Sequence, residues 1–157
     1  MKLIWKKLDN ANAHDAGRQL LEDLYRETTG QNLPPIEKTP RGKPFFADSP
    51  WHFSISHTKR HVFCCLSRKN IGIDAEEMDR KVDPRLAERY LSSAEKSRLA
   101  ASEDQNAALL RLWVQKEAYA KLTGAGIGNY LKTTDFDPEN QEILLIDGCY
   151  VAVLEGE

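Results

Sequence analysis

The stretch Asn106-Ala-Ala-Leu-Leu-Arg-Leu-Trp-Val-Gln-Lys-Glu-Ala-Tyr-Ala-Lys-Leu-Thr123 predicts the central helix of this protein. It is rich in helix-forming residues and contains neither Pro nor Gly, and Gly124 and Gly126 follow it as stop signals. At about 100° per residue, most of its large side chains fall on one apolar arc. The members of that arc are Leu109, Leu112, Trp113, Tyr119 and Ala120, extended by Leu110 and Val114.

Two adjacent charged residues, Lys116 and Glu117, interrupt this arc, and Lys121 lies one turn beyond Glu117 at its edge. Two interpretations are open. In the first, Glu117 and Lys121 form an i,i+4 pair on a solvated face, which stabilises a helix by about 0.3 kcal/mol. In the second, the charges point into the protein and are paired with groups elsewhere in the chain, because an unpaired buried charge is costly.

Length and composition are typical of a globular protein. The 157 residues fit a single domain, 1–157, built from two halves that share a core, approximately 1–70 and 71–157. The net charge of −2 and the lack of a polybasic run argue against nucleic acid as a partner, and no apolar run is long enough for a membrane span. The three cysteines match neither a disulfide framework nor a zinc spacing. We therefore expect a cytoplasmic protein, with no signal peptide in its short apolar N-terminus.

Strands and helices are predicted in mixed order, which indicates the α+β class. Strands are predicted at 2–8, 53–56, 61–67 and 71–76, with a hairpin of 142–146 and 149–154 around Asp147-Gly148. Besides the central helix, helices are predicted at 13–29, from Asp83-Pro84 to Tyr90, and after the capping box Ser92-x-x-Glu95.

The strand Ile71–Glu76 places two carboxylates on one of its faces. Because strand side chains alternate, Asp74 and Glu76 share a side and lie roughly 6.5 Å apart at the backbone, near enough to reach one ion. With an inward-facing Glu117, three oxygen ligands would converge, and such a set favours Mg²⁺ over zinc. The alternative is an acidic, solvated start of a loop, since two more acidic residues follow within three positions.

Five basic residues complement these carboxylates. Arg41, Lys43, His57, Lys116 and Lys121 are separated in sequence, yet each lies at the end of a predicted element or on the inward arc of the helix. Cations around an acidic metal site are what a phosphoanhydride substrate requires, because they neutralise charge that develops on the leaving phosphate. For His57 alone, a purely structural histidine is an equal alternative.

Four sequence motifs, taken together and in order, resemble those of the 4′-phosphopantetheinyl transferases of the Sfp type. They are Gly42-Lys-Pro44, Phe53-Ser-Ile-Ser-His57, Ile71-Gly-Ile-Asp-Ala-Glu76 and Trp113-Val-Gln-Lys-Glu-Ala-Tyr-Ala-Lys121. The resemblance runs from about Ala13 to Phe136. The Lys-Glu-Ala-x-x-Lys stretch followed by Gly124-Ala-Gly-Ile127 is also similar to the holo-acyl-carrier-protein synthase branch.

This resemblance implies an α+β fold of two pseudo-twofold-related halves. It implies Mg²⁺-dependent transfer of phosphopantetheine from coenzyme A to a serine of an apo acyl or peptidyl carrier protein, releasing adenosine 3′,5′-bisphosphate, with Mn²⁺ as a possible substitute. Because all four motifs lie in one chain, we expect an active monomer.

The alternative function is a non-catalytic module that binds coenzyme A and carrier proteins. A metal-dependent phosphohydrolase would need a water-activating set or a two-metal site, and neither is evident.

The resemblance also implies roles for individual residues. The metal ligands would be Asp74, Glu76 and Glu117. The residues that bind coenzyme A would be Arg41, Lys43, Ser56 and His57, with Lys116 and Lys121 near the diphosphate. Glu117, Lys116 and Lys121 would form the catalytic set, in which Glu117 acts as a base for the incoming serine, directly or through water, or as a metal ligand only. The residues that hold the adenine and the 3′-phosphate stay open.

Overall fold

Two three-stranded antiparallel sheets, each covered by one long helix, form the framework of the protein in the computed structural model, which describes all 157 residues. In chain order the elements are β1 (Lys2–Lys7), α1 (Ala13–Thr29), β2 (Ile36–Lys38), β3 (Pro44–Phe46), β4 (His52–His57), β5 (His61–Ser67), β6 (Ile71–Glu77), α2 (Arg85–Tyr90), α3 (Ser93–Ala101), α4 (Gln105–Thr123), a 3₁₀ helix (Asn129–Thr133), β7 (Leu144–Ile146) and β8 (Cys149–Glu155). No helix combines the length and the apolar character that a membrane span requires.

The two sheets repeat one topology. The first has the order β1-β5-β4 and the second the order β6-β8-β7, so in each half a strand, a long helix and a hairpin follow one another, and the last strand lies at the centre. The α+β class is thereby confirmed. Residues 68–70, between β5 and β6, connect the two sheets in the sequence.

Three apolar cores hold these layers together. Alternate residues of β5 explain why: Val62, Cys64 and Leu66 pack against α1, whereas Phe63 and Cys65 face the second sheet. The core between the sheets also contains Ile71, Ile73, Ala75, Cys149 and Val151. Because β5 is buried on both faces, its sequence is a continuous apolar run without polar alternation.

Most predicted elements are present, and their capping residues behave as expected. Gly30 ends α1 in the left-handed conformation, with φ 73°. Ser92 and Glu95 form the reciprocal capping box at the start of α3. Asp147 and Gly148 both have positive φ, as the tight hairpin turn between β7 and β8 demands. The short pair β2–β3 and the 3₁₀ helix were not predicted, because elements this short carry no periodic signal.

The central helix α4 is buried on nearly all sides, not along a single arc. One side of α4 packs on β6 and β8, and α3 packs against another side of it. The buried set therefore includes the polar residues Gln115 and Lys116 as well as the predicted apolar ones except Tyr119, which is half-buried. Lys116 is 0% exposed, so its charged side chain points into the protein.

A close approach of β6 to α4 brings Asp74 and Glu76 of β6 near Glu117 of α4. A Cβ atom at Gly72 would lie 2.1 Å from the carbonyl oxygen of Ala118 and 2.5 Å from the backbone nitrogen of Leu122. Real Cβ atoms do not tolerate such distances, so only glycine allows the strand and the helix backbone to lie this close.

Asn70, in the link between the halves, forms hydrogen bonds to three other segments. Its side chain accepts a hydrogen bond from Lys43 Nζ and donates one to the carbonyl oxygen of Leu122 in α4. Its own carbonyl oxygen accepts from the backbone N–H of Gly156, just after β8, at 2.8 Å. The link is therefore joined to α4, to β8 and to the basic segment before β3.

We predict that Gly72→Ala destabilises the protein by about 3 kcal/mol or more, because overpacking against helix backbone cannot be relieved by moving a side chain. Gly128→Ala is the matched control, since its φ of −167° suits any residue and its nearest neighbour would be Tyr130 at 3.5 Å, an ordinary contact. Urea unfolding of both variants measures the effect. Equal stabilities would contradict the close approach of β6 and α4.

Candidate active site

Three carboxylates from two elements converge where β6 lies beneath α4. Asp74 and Glu76 come from β6 and Glu117 from α4, and each offers one oxygen such that these oxygens all lie within 4.8 Å of one another. Asp74 and Glu76 are buried, and Glu117 is half-buried. The alternation of β6 and the inward position of Glu117, both inferred from the sequence, are thus present in the structure.

Burial and the closeness of like charges raise the pKa values of two carboxyl groups in this cluster. Burial, and next the neighbouring charge of Asp74, raise the pKa of Glu117 to about 8. Burial likewise raises the pKa of Glu76, although a hydrogen bond from Arg80 opposes the shift. Without a cation, the folded protein therefore resists full ionisation of the cluster.

The two oxygens of Asp74 have different surroundings. Oδ1 accepts hydrogen bonds from Lys121 Nζ at 2.8 Å and from the hydroxyl of Ser56 at 3.1 Å. Oδ2 is buried and has no hydrogen-bond partner. Buried polar atoms normally have partners, and an orphaned carboxylate oxygen within a group of three carboxylates fits a divalent cation ligand.

Arg80 is a cluster residue that the sequence interpretation missed. Its guanidinium lies 2.5 Å from Glu76 Oε1, just after the end of β6. The available signal was a basic residue four positions beyond Glu76 in an otherwise acidic segment. Arg80 and Lys121 together offset part of the negative charge, since each binds a different carboxylate.

A cleft of about 340 Å³ opens on one side of the cluster. It is lined by Arg41, Gly42, Lys43, Pro44, Phe53, Ser54, Ile55, Glu117, Ala120, Lys121, Gly124, Gly126 and Ile127. The cleft thus brings together three predicted cations: Arg41, Lys43 and Lys121. Lys43 Nζ donates to Asn70 and to the carbonyl oxygen of Leu122, and burial lowers its pKa.

A second, wholly polar pocket of about 570 Å³ opens beside Glu76. It is lined by His57, Thr58, Lys59, Arg60, Glu76, Glu77, Asp79 and Arg80. Glu117 lines the first cleft and Glu76 the second, and their oxygens lie within 4.8 Å of each other. The acidic cluster therefore contributes a carboxylate to each opening, and His57 lines the second opening whereas Arg41 lines the first.

Lys116 is not part of this site, which corrects the expectation that it lies beside the diphosphate. Its ammonium is 2.5 Å from Glu95 Oε1, and both side chains are 0% exposed. It also donates to the carbonyl oxygen of Leu131 and to the hydroxyl of Thr134, at 2.6 and 2.7 Å. Successive helix residues point about 100° apart, so Lys116 faces α3 while Glu117 faces β6.

Ser56, in β4, contacts the acidic cluster. It is buried, its hydroxyl donates to Asp74, and its oxygen accepts from the backbone N–H of Ala75. It is absent from the walls of both openings. The structure thus places the Ser56 hydroxyl against Asp74 and the backbone of β6.

Comparison with known sequences identifies the class of protein. The model of the 4′-phosphopantetheinyl transferase superfamily matches residues 70–147, which span β6, α4 and β7. A 4′-phosphopantetheinyl transferase of Bacillus subtilis is 38% identical over 160 aligned residues, which cover 91% of this chain and 70% of the relative. The chain belongs to the 4′-phosphopantetheinyl transferase superfamily.

Other relatives carry the same description. The 4′-phosphopantetheinyl transferase gsp of Aneurinibacillus migulanus is 36% identical over 125 residues, covering 74% of this chain and 52% of the relative. The transferase Sfp of Bacillus subtilis strain 168 is 32% identical over 123 residues, covering 72% of this chain and 54% of the relative. The chain thus spans about half the length of these two curated relatives.

Lys116→Met is expected to lower the free energy of unfolding by about 3 kcal/mol, because it leaves the Glu95 carboxylate buried without its cation. Lys96→Met is the matched control. Lys96 pairs with Glu88 at the surface, where a salt bridge contributes less than about 1 kcal/mol. Urea unfolding of both variants measures the difference. A loss for Lys116→Met as small as that of the control would contradict the buried pair.

Glu117→Gln is expected to stabilise the chelator-treated protein at about pH 8 by roughly 1–2 kcal/mol. The pKa of Glu117 in the folded protein, about 8, exceeds its ordinary value of 4.5. The wild-type protein therefore loses stability as the pH rises from 4.5 toward 8, whereas the variant has no carboxyl group to ionise there.

Urea unfolding in chelator at about pH 5 and about pH 8 tests this dependence. The advantage of Glu117→Gln should be small at the lower pH and larger at the higher one. Glu103→Gln, at an exposed position, is the control and should show no such gain. A variant no more stable than the wild-type protein at the higher pH would refute the crowding of the three carboxylates.

Proposed function

We propose that this protein transfers the 4′-phosphopantetheine group from coenzyme A to a serine of an apo acyl or peptidyl carrier protein, releasing adenosine 3′,5′-bisphosphate. One observation carries the proposal: three carboxylates converge beside a cleft that is lined by Arg41, Lys43 and Lys121. Membership of the superfamily supports the same reaction.

Asp74, Glu76 and Glu117 are the proposed ligands of one divalent cation, Mg²⁺ or Mn²⁺. Their donor atoms are all oxygens, and Asp74 Oδ2 is buried without a partner, which fits a hard cation. When bound there, such an ion supplies charge neutralisation to the diphosphate of coenzyme A. The three carboxylates would hold this ion between β6 and α4.

Basic side chains in the two openings are proposed to bind the rest of the charge on coenzyme A. Lys121 is held by Asp74 at the edge of the cluster, where it can face a diphosphate. Arg41 and Lys43 lie in the cleft, and His57 lies in the polar pocket. Lys121 is thus the proposed catalytic cation, in place of the buried Lys116.

In the proposed reaction the serine hydroxyl oxygen forms a bond to the phosphorus that carries the pantetheine arm. The bond between this phosphorus and the oxygen of the adenosine bisphosphate breaks, and that oxygen keeps the electron pair. The serine proton passes to a base. Glu117 is the proposed acceptor, directly or through water, because its carboxylate borders both the cleft and the other ligands.

Three further properties belong to this proposal. Mg²⁺ is preferred as the resident ion, since carboxylates are hard oxygen ligands. An active monomer is expected, because both sheets and all three carboxylates belong to one chain. A cytoplasmic location is expected because all three cysteines are free thiols, which are typical of a reducing compartment.

A direct transfer assay tests the proposed function. The protein is incubated with coenzyme A and Mg²⁺ and with either an apo acyl carrier protein or an apo peptidyl carrier domain, and the carrier is then weighed by mass spectrometry. We expect the carrier to gain one phosphopantetheine group, chelation to abolish the gain, and Mn²⁺ to restore it. Asp74→Asn should lower the rate at least about 100-fold.

Asp23→Asn, an exposed substitution on α1, is the control and should keep the wild-type rate. Binding of coenzyme A and of the carrier without any gain in carrier mass would support the non-catalytic module instead. Full transfer after exhaustive chelation would refute the metal assignment while leaving the transferase assignment intact.

A further inference from the structure

We infer that Ser56 is a positioning residue that orients Asp74 for the cation, and that it does not hold a phosphate of coenzyme A. The inference rests on the proposed divalent metal site. It assigns to Ser56 a role in metal affinity, which is separable by measurement from a role in substrate affinity.

The hydrogen bonds of Ser56 leave it no donor for a substrate. Its side chain has one hydroxyl proton, which it donates to Asp74 Oδ1 at 3.1 Å. Its oxygen accepts from the backbone N–H of Ala75, also at 3.1 Å. The residue is 3% exposed, so little of its surface is open to a phosphate.

These two hydrogen bonds hold the Ser56 hydroxyl in place beside the Asp74 carboxylate, whose orientation is otherwise weakly restrained. The last torsion of an aspartate side chain has broad preferences, so the carboxylate plane needs an external donor to hold it. The other donor to Oδ1 is Lys121, whose long side chain is 35% exposed and flexible. Ser56 is tied to the backbone of β6, and it therefore supplies the rigid contact that keeps Oδ1 occupied and Oδ2 free.

Ser54 offers a matched control on the same strand. Its hydroxyl oxygen accepts from the backbone N–H of Ile73 at 3.1 Å, just as Ser56 accepts from Ala75. Both serines thus join β4 to β6 across the contact between the two sheets, but only Ser56 donates to a carboxylate. A substitution at Ser54 weakens the same contact without touching Asp74.

Mn²⁺ binding, measured through the electron paramagnetic resonance signal of free Mn²⁺, tests the inference without any reference to catalysis. We expect Ser56→Ala to weaken Mn²⁺ affinity about tenfold, the usual effect of losing a hydrogen bond to a metal ligand. Ser54→Ala should change it less than about twofold. Ser56→Thr, which keeps the hydroxyl and suits a strand, should restore the affinity. At saturating Mn²⁺, the affinity of Ser56→Ala for coenzyme A should equal that of the wild-type protein.

Three results would overturn the inference. They are wild-type Mn²⁺ affinity in Ser56→Ala, an equal loss in Ser54→Ala, and a loss of coenzyme A affinity at saturating Mn²⁺. Should Ser56→Ala fail to fold, Ser56→Cys replaces it, because a thiol fills the position, although it is larger than a hydroxyl, and is only a weak donor, and the same loss is expected. A wild-type protein that binds no Mn²⁺ refutes the metal site itself, an outcome distinct from failure of the Ser56 role.

Discussion

The contact between β6 and α4 determines the geometry of the candidate site. Gly72 lets the strand lie against the backbone of α4 at Ala118 and Leu122. Two residues further along the strand, Asp74 then comes to lie beneath Glu117. With a larger residue at position 72 the strand and helix would separate, and the oxygens of the cluster would separate with them. The packing of one glycine thus sets the spacing of the proposed ligands.

That spacing has an electrostatic cost, which the protein offsets only in part. Lys121 and Arg80 each bind one carboxylate, yet burial still raises the pKa values of Glu76 and Glu117. A sequence selected only for stability would avoid such crowding. Local instability of this kind, within an otherwise well-packed protein, is typical of a site that is kept for binding or chemistry.

Much of the fold and the acidic cluster follows from short-range patterns in the sequence. Strand alternation predicts that Asp74 and Glu76 share a face, and the helical repeat directs Glu117 inward. The same reasoning fails for Lys116, because its partner Glu95 lies in another helix and no local pattern reveals such a pairing. For Ser56, alternation predicts a face of β4 but does not reveal that the hydroxyl binds the backbone of β6. Partners that are distant in the sequence are therefore what local patterns leave out.

The hydrogen bonds of Asn70 have a consequence for how the molecule unfolds. This residue connects the first half to α4 and to the backbone that follows β8, and its side chain also binds Lys43 in the cleft wall. Neither half can lose its structure without breaking contacts that the other half needs, so we expect the two halves to open as one cooperative unit in hydrogen exchange. A molecule bound in the cleft would then slow exchange in both sheets, including strands far from the ligand.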